Sequence, residues 1–153
     1  THYPDTNEAF AAYKAAVHRH TPEIEQTLTH LYGAKVNVTF VPHLLPVNRG
    51  ILSTIYVKTA AEFDKIYETY AETYKNEKFV RVMPKGAFAN IKNVRMSNYC
   101  DISLHYDDHT STLIITSAID NMVKGAAGQA IQNMNIRFGF PEDEALRVLA
   151  PSF

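Results

Sequence analysis

Tryptophan is absent from this 153-residue chain, cysteine occurs once and glycine six times. The charge is nearly balanced, with fifteen Lys and Arg against sixteen Asp and Glu. A single thiol excludes an intrachain disulfide and a cysteine-built zinc site. It makes a reducing, cytoplasmic setting the default. A net charge of −1 with both signs interspersed argues against a nucleic-acid footprint or a polybasic membrane patch. Apolar runs extend over only a few residues, far short of a membrane span. No signal-peptide pattern opens the chain, and no internal repeat or low-complexity linker interrupts it. What is present is 46% apolar and 20% charged residues, an ordinary globular composition. The length suits one domain, residues 1–153, with a real core. Nine Tyr and eight Phe make that core aromatic, with material left for an aromatic interface. Residues 1–11 are polar and aperiodic and do not begin with Met, which reads as the start of an excised fragment.

Periodicity then sets out the elements. Residues 13–17 read as a short strand or extended lead. Residues 21–32 form a helix, with Ile24, Leu28 and Leu31 on one stripe and Gly33 closing it. Residues 35–41 alternate as a strand with Val36, Val38 and Phe40 on one face. A proline-braced loop over 42–49 carries His43, Asn48 and Arg49, and 50–58 reads as a central strand. Residues 60–74 make a helix whose stripe is Phe63, Ile66, Tyr67, Tyr70 and Tyr74. A short strand over 79–83 precedes Pro84-Lys85-Gly86. Strands 98–106 and 111–117 are joined by the turn Asp107-Asp108-His109-Thr110. Asp120 caps a long helix to about Phe138, whose Gly125, Ala126, Ala127, Gly128 and Ala130 form a small-residue face. The tail from 140 reads as a loop with one helical turn. This order predicts an α+β fold with a mixed, largely antiparallel sheet and helices packed on one face. The other face needs cover, which a partner subunit can supply.

The segment richest in chemistry is His18-Arg19-His20-Thr21-Pro22-Glu23-Ile24. Thr21 reads as the N-cap, Pro22 as the first helical residue, and Glu23 complements the dipole. A helix N-terminus attracts anions and disfavours a protonated histidine beside it, so anion binding and proton transfer meet here. In an extended lead-in, His18 and His20 project to one side and Arg19 to the other.

Three blocks make the chain recognisable. They are the segment just quoted, then Pro42-His43-Leu44-Leu45-Pro46-Val47-Asn48-Arg49-Gly50-Ile51-Leu52, and then Ser117 through Asn135. Together they closely resemble the N-acetyl-gamma-glutamyl-phosphate reductase family, from about Val17 to the C-terminus, and only its second half. The resemblance implies an enzyme of arginine biosynthesis. It reduces N-acetylglutamyl 5-phosphate to the semialdehyde with NADPH, through attack of a cysteine on the acyl phosphate. It also implies an N-terminal Rossmann domain joined to a substrate and dimerisation domain like that of glyceraldehyde-3-phosphate dehydrogenase. The chain departs from that pattern: it has no Gly-x-Gly-x-x-Gly fingerprint, and the nucleophilic Cys belongs upstream of Thr1. The expectation is the C-terminal substrate and dimerisation domain alone. Its implied partners are the acyl phosphate or semialdehyde, the Rossmann domain and a second copy, with no nucleic acid and no membrane.

The resemblance implies that His18 or His20 is the base that activates the thiol. His18 is read as the base and His20 as a substrate contact, against the plainer reading of a surface pair with a capping role. Arg49 suits a bidentate contact with carboxylate or phosphate, with His43 and Asn48 adding hydrogen bonds. The plainer reading is a structural ion pair. Asn121 matches the place where the wider dehydrogenase superfamily puts an amide on the nicotinamide carboxamide. Gln129, Gly125 and Gly128 would admit cofactor or Rossmann domain, although small helical residues commonly serve packing. The helix over 120–138 is the surface expected to meet that domain. Cys100 shares a strand face with Ile102 and Leu104, lacks a basic or helix-start setting, and is read as structural. His105 and His109 are assigned no metal. The alternative to a reductase domain is a stand-alone association or ligand-binding module.

Overall fold

The computed structural model describes residues 7–150, so the opening of the aperiodic 1–11 segment lies outside them. The chain divides into two compact units, Thr1–Asn48 and Arg49–Phe153.

The first unit holds β1 (Ala11–Ala12), α1 (Thr21–Tyr32) and β2 (His43–Leu44), with β1 and β2 antiparallel. The strand expected over 13–17 is a turn. Lys14 and Ala16 adopt positive φ there, 45° and 60°, which breaks extended geometry. α1 matches its expected bounds. It ends at Gly33, whose φ of 77° lets its amide reach the Thr29 carbonyl at 2.9 Å. Its cap differs from expectation: His20 occupies the N-cap and Thr21 lies inside the helix. Residues 35–41 form no ladder. The Val36 and Val38 amides bond side chains of α1 instead, Thr29 Oγ1 at 3.0 Å and Glu25 Oε1 at 2.8 Å. The alternation is nonetheless real, since Val36, Val38 and Phe40 are the half-buried members of the run.

The second unit contains a four-stranded sheet in the order β3-β6-β5-β4, built from β3 (Ile51–Lys58), β4 (Val80–Val82), β5 (Cys100–Asp107) and β6 (Thr112–Ile119). Only β4–β5 is parallel, so the sheet is mixed and largely antiparallel, as expected. Helix α2 (Phe63–Tyr74) begins three residues later than its sequence pattern and lays Phe63, Ile66, Tyr67 and Tyr70 over Leu104, Leu113 and Ile115. On the opposite face Ala118 packs with Ala89 and Val94 of the 84–98 loop. The Ala89 amide there bonds Ser103 Oγ at 3.1 Å. The chain's own loop therefore covers part of the face for which a partner was expected. Residues 50–58 are not a central strand. β3 lies at the sheet rim, and every one of its residues is exposed. Its apolar residues alternate on both faces, which mimics a buried strand in sequence.

Asp107 closes the β5–β6 turn, accepting the His109 amide at 3.0 Å and the Thr110 hydroxyl at 2.6 Å. After β6, a π-helical turn (Val123–Ala127) leads into α3 (Gly128–Phe138). Beyond α3, Asn135 Nδ2 donates to the carbonyls of Glu142 and Glu144, and Lys78 Nζ lies 2.6 Å from Asp143. The Lys78 hydrogen bond, aided by Arg147, holds the Asp143 carboxyl at about 2, below its ordinary 3.8. A depressed carboxylate stabilises the fold above its unfolded value and loses that contribution on protonation. Amide protection in residues 141–147, measured against the intrinsic exchange rate at each pH, should therefore be constant above pH 3.8 and fall as pH drops toward 2. Protection that is unchanged across that window would rule out the anchor.

Candidate functional site

The histidine segment folds as a turn rather than an extended lead. The His18 carbonyl accepts the Thr21 amide at 3.0 Å, and the His20 carbonyl accepts the Ile24 amide at 2.9 Å. The turn still brings the imidazoles together, with ring centroids 4.7 Å apart at 70°. Tyr13 and Phe40 meet the His18 ring edge-on at 5.6 and 5.3 Å. The His20 amide donates to His18 Nδ1 at 3.2 Å. Desolvation by these neighbours, then the positive charges of His20, Lys14 and Arg19, hold the His18 imidazolium less favourable than in free histidine. His18 is thus biased toward the neutral ring near pH 7. His43 is elsewhere in this unit, exposed, stacked on Phe10 at 5.2 Å and bonded through Nδ1 to the Val41 carbonyl at 3.1 Å. Asn48 is exposed at the end of the unit.

In the second unit Arg49 is held by Asp120. Nη2 donates to Oδ1 at 2.8 Å, and Nε lies 2.7 Å from Oδ2 without the alignment of a hydrogen bond. Asp120 is buried and also accepts the amides of Met96, Met122 and Val123 at 2.6, 2.8 and 3.1 Å. Burial pushes its carboxyl upward, but Arg49 and the three amides outweigh burial and leave it below the ordinary carboxylate value. Next to this pair, Asn121 Oδ1 accepts the Gly50 amide at 2.7 Å. Gly50 has φ 121°, and a Cβ there would crowd Ile91. The two contacts fasten the entry of β3 to the start of the π-turn. Asn121 retains its Nδ2 donors, since its amide oxygen alone is used among the described residues.

Gln129 bonds Asn133 along α3 at 3.0 Å. Gly125 is exposed, and a Cβ there would make only ordinary contact with Ile119. Gly128 is the glycine that packing requires, because a Cβ would collide with Asn98 Oδ1 and lie 2.7 Å from Val123 Cγ1. A polar network surrounds it, unanticipated by the sequence pattern. Gln132 Oε1 accepts from Asn98 Nδ2 at 2.9 Å and Lys124 Nζ at 2.7 Å, while Gln132 Nε2 donates to Glu142 at 2.6 Å. Lys124 is a half-buried member of this network, and desolvation lowers its pKa. Cys100 faces Ser117 at 3.4 Å within the sheet. A cleft of about 640 Å³ beside β4 is lined by Arg81, Met83, Lys92 and Asp101. Asp101 already binds Arg81 through two contacts, at 2.6 and 3.0 Å, which leaves both of its carboxylate oxygens engaged.

The family model described as "Semialdehyde dehydrogenase, dimerisation domain" matches residues 1–121. The chain belongs to that family. It is 63% identical over its full length to an N-acetyl-gamma-glutamyl-phosphate reductase of Brachyspira hyodysenteriae, covering 44% of that protein. It is 57% identical to the Clostridium beijerinckii protein of the same name, covering 45% of it. The chain thus spans a little under half the length of these curated relatives. A solved aspartate semialdehyde dehydrogenase II from Vibrio cholerae superposes with a TM-score of 0.60 at 18% identity, over 80% of this chain and 38% of that one. That likeness establishes the fold.

Gly128→Ala should cost about 1–3 kcal/mol through overpacking. Gly125→Ala should change stability by less than about 1 kcal/mol. Denaturant melts of the two variants check this, and equal losses would refute the packing distinction. Asp120→Ala, which leaves Arg49 and three amides unpaired, should lose on the order of 3–5 kcal/mol in the same measurement.

Proposed function

We propose that this chain is the C-terminal substrate and dimerisation domain of a cytoplasmic reductase converting N-acetylglutamyl 5-phosphate to N-acetylglutamate 5-semialdehyde in arginine biosynthesis. The observation that carries the reading is 63% identity, over the whole chain, to a protein named for that activity. The paired imidazoles before α1 add chemistry of the required kind. In this reading the nucleophilic cysteine and the dinucleotide fold lie in the part of the relatives that this chain does not span.

His18 and His20 are the proton-handling and substrate-facing residues of the domain. Arg49 serves the second unit as an anchor, because its pairing with Asp120 fixes the start of β3. In the first unit His43 and Asn48 are the exposed polar residues offered to substrate. Asn121 fits a nicotinamide carboxamide, because its Nδ2 donors are free once its oxygen holds Gly50. Gly125 and Gln129 lie on the same helical surface, with Gly125 exposed for close approach. NADPH, when bound, would supply the hydride. The chain's residues bind, orient and move protons.

Full-length enzyme containing this domain should oxidise NADPH only when the acyl phosphate is present, and the isolated chain should give no turnover. Turnover by the isolated chain would overturn the division of labour. No acyl-phosphate-dependent oxidation by the full-length protein would overturn the reaction.

Self-association follows from the same reading. β3 exposes Ile51, Leu52, Ile55, Tyr56 and Val57, an apolar strand at the sheet rim that a second copy would cover. The chain should sediment as a dimer and Tyr56→Asp as a monomer. A strict monomer at high wild-type concentration would defeat the assignment.

A further inference from the structure

We propose that the cleft beside β4 binds a small organic monocarboxylate, with Arg81 and Lys92 holding the carboxylate and the apolar walls holding the rest of the molecule. The site is independent of the reductase reading. Arg81 is pinned along one edge and on one face of its guanidinium. Nε and Nη2 meet Asp101 Oδ1 and Oδ2 at 2.6 and 3.0 Å, and Nη2 also donates to the Asn93 carbonyl at 3.2 Å. The flat of the group lies over the Tyr99 ring, with Cζ 4.4 Å from the ring centroid. Asp101 is fully buried, so the carboxylate that aims the guanidinium is itself fixed.

A guanidinium is a rigid fork that only donates. The donors on Nε and Nη2 are spent on Asp101 and Asn93, and among the described residues Nη1 has no partner. The Arg81 side chain lines the cleft and is 41% exposed, so Nη1 is the part of the fork left for a ligand. A fork already held in place loses little freedom when an anion meets it. Lys92 is placed by the short 3₁₀ turn Ile91–Asn93, where Asn90 Oδ1 accepts the Lys92 amide at 2.9 Å.

Charge selects the ligand. Asp101 neutralises Arg81, so the surplus in the cleft is the cation of Lys92. Lys92 is exposed and has no carboxylate partner among the described residues. A single surplus charge suits a carboxylate, whereas a phosphate dianion would be left partly uncompensated. The remaining walls include Val82, Met83, Pro84 and Ala150, apolar surface for the body of the ligand. The volume of about 640 Å³ falls within the range of small-molecule sites. β4 spans only Val80–Val82, which offers an added peptide strand little main-chain pairing, so the occupant is a small molecule.

Amide NMR titrations of the chain with hexanoate, hexanol and inorganic phosphate, at constant ionic strength, test the site. Hexanoate should give saturable shifts at residues 80–84, 91–93 and 101, with a dissociation constant on the order of millimolar, as suits so small a ligand. Hexanol lacks the charge and phosphate lacks the apolar body, and each should bind about tenfold more weakly or worse. Lys92→Gln should weaken hexanoate about tenfold and leave the melting temperature unchanged, because the side chain is exposed. Arg81→Gln would strand the buried Asp101 charge and can unfold the β4 edge. Arg81→Lys is therefore the second variant: it keeps the charge, loses the fork, and should weaken hexanoate about tenfold while the rest of the amide spectrum stays in place. Absence of saturable shifts with hexanoate would overturn the site. Phosphate binding as tightly as hexanoate would make it a general anion site, and hexanol binding as tightly would make it an apolar cleft alone; either result overturns the carboxylate assignment. Full hexanoate affinity in either variant would do the same.

Discussion

The Asp120 carboxylate is the constraint on which the second unit depends. It is buried, and it gathers Arg49 from the start of β3, Met96 from the loop crossing the sheet, and Met122 and Val123 from the entry to the π-turn. Five groups converge on one side chain once Arg49's two nitrogens are counted separately. Charge burial on this scale is tolerated because Oδ1 takes three donors and Oδ2 the Met96 amide beside the Arg49 guanidinium, which returns much of the hydration that folding removed. The geometry that results places Asn121 against Gly50 and so sets where β3 begins. Register along the whole β3–β6 ladder, Ile51 opposite Ile119 through Lys58 opposite Thr112, follows from that starting point.

A second device governs α3. Gly128 allows the Asn98 side chain to lie against the helix backbone, and Gln132 one turn later ties Asn98, Lys124 and Glu142 together. Such a network is costly to build in part and stable only when nearly complete. It explains why this helix is tied so specifically to the segment before β5. The π-turn preceding it adds a residue to the helical path, and Asp120 accepts the amides of Met122 and Val123 at its entry.

Much of this was legible in the residues. The α2 stripe, the antiparallel pair β5–β6, the helix over 21–32 and the glycine that ends it all carry local signals strong enough to survive tertiary context. The failures have physical causes. Residues 35–41 have strand periodicity, but their amides are satisfied by α1 side chains, a competition that period alone cannot reveal. The His18–His20 alternation was read as extended, whereas positive φ at Lys14 and Ala16 turns the chain just before it. Arg49 advertised anion binding, and its partner proved to be Asp120, seventy-one residues away, a pairing without a local signal. Among the glycines, composition could not distinguish exposed Gly125 from buried Gly128, since the difference lies in what a missing Cβ would touch.

The rim position of β3 has a practical side. Its outer edge carries free amides and carbonyls along eight residues, without a proline or glycine inside the strand, and with Lys58 at the far end as its only charge. Those are the features that proteins ordinarily use to blunt an open edge, and here they are nearly missing. The strand is consequently sticky toward any other extended chain, native or not. Raising the concentration of this polypeptide handled by itself therefore brings such edges together and works against its staying dispersed.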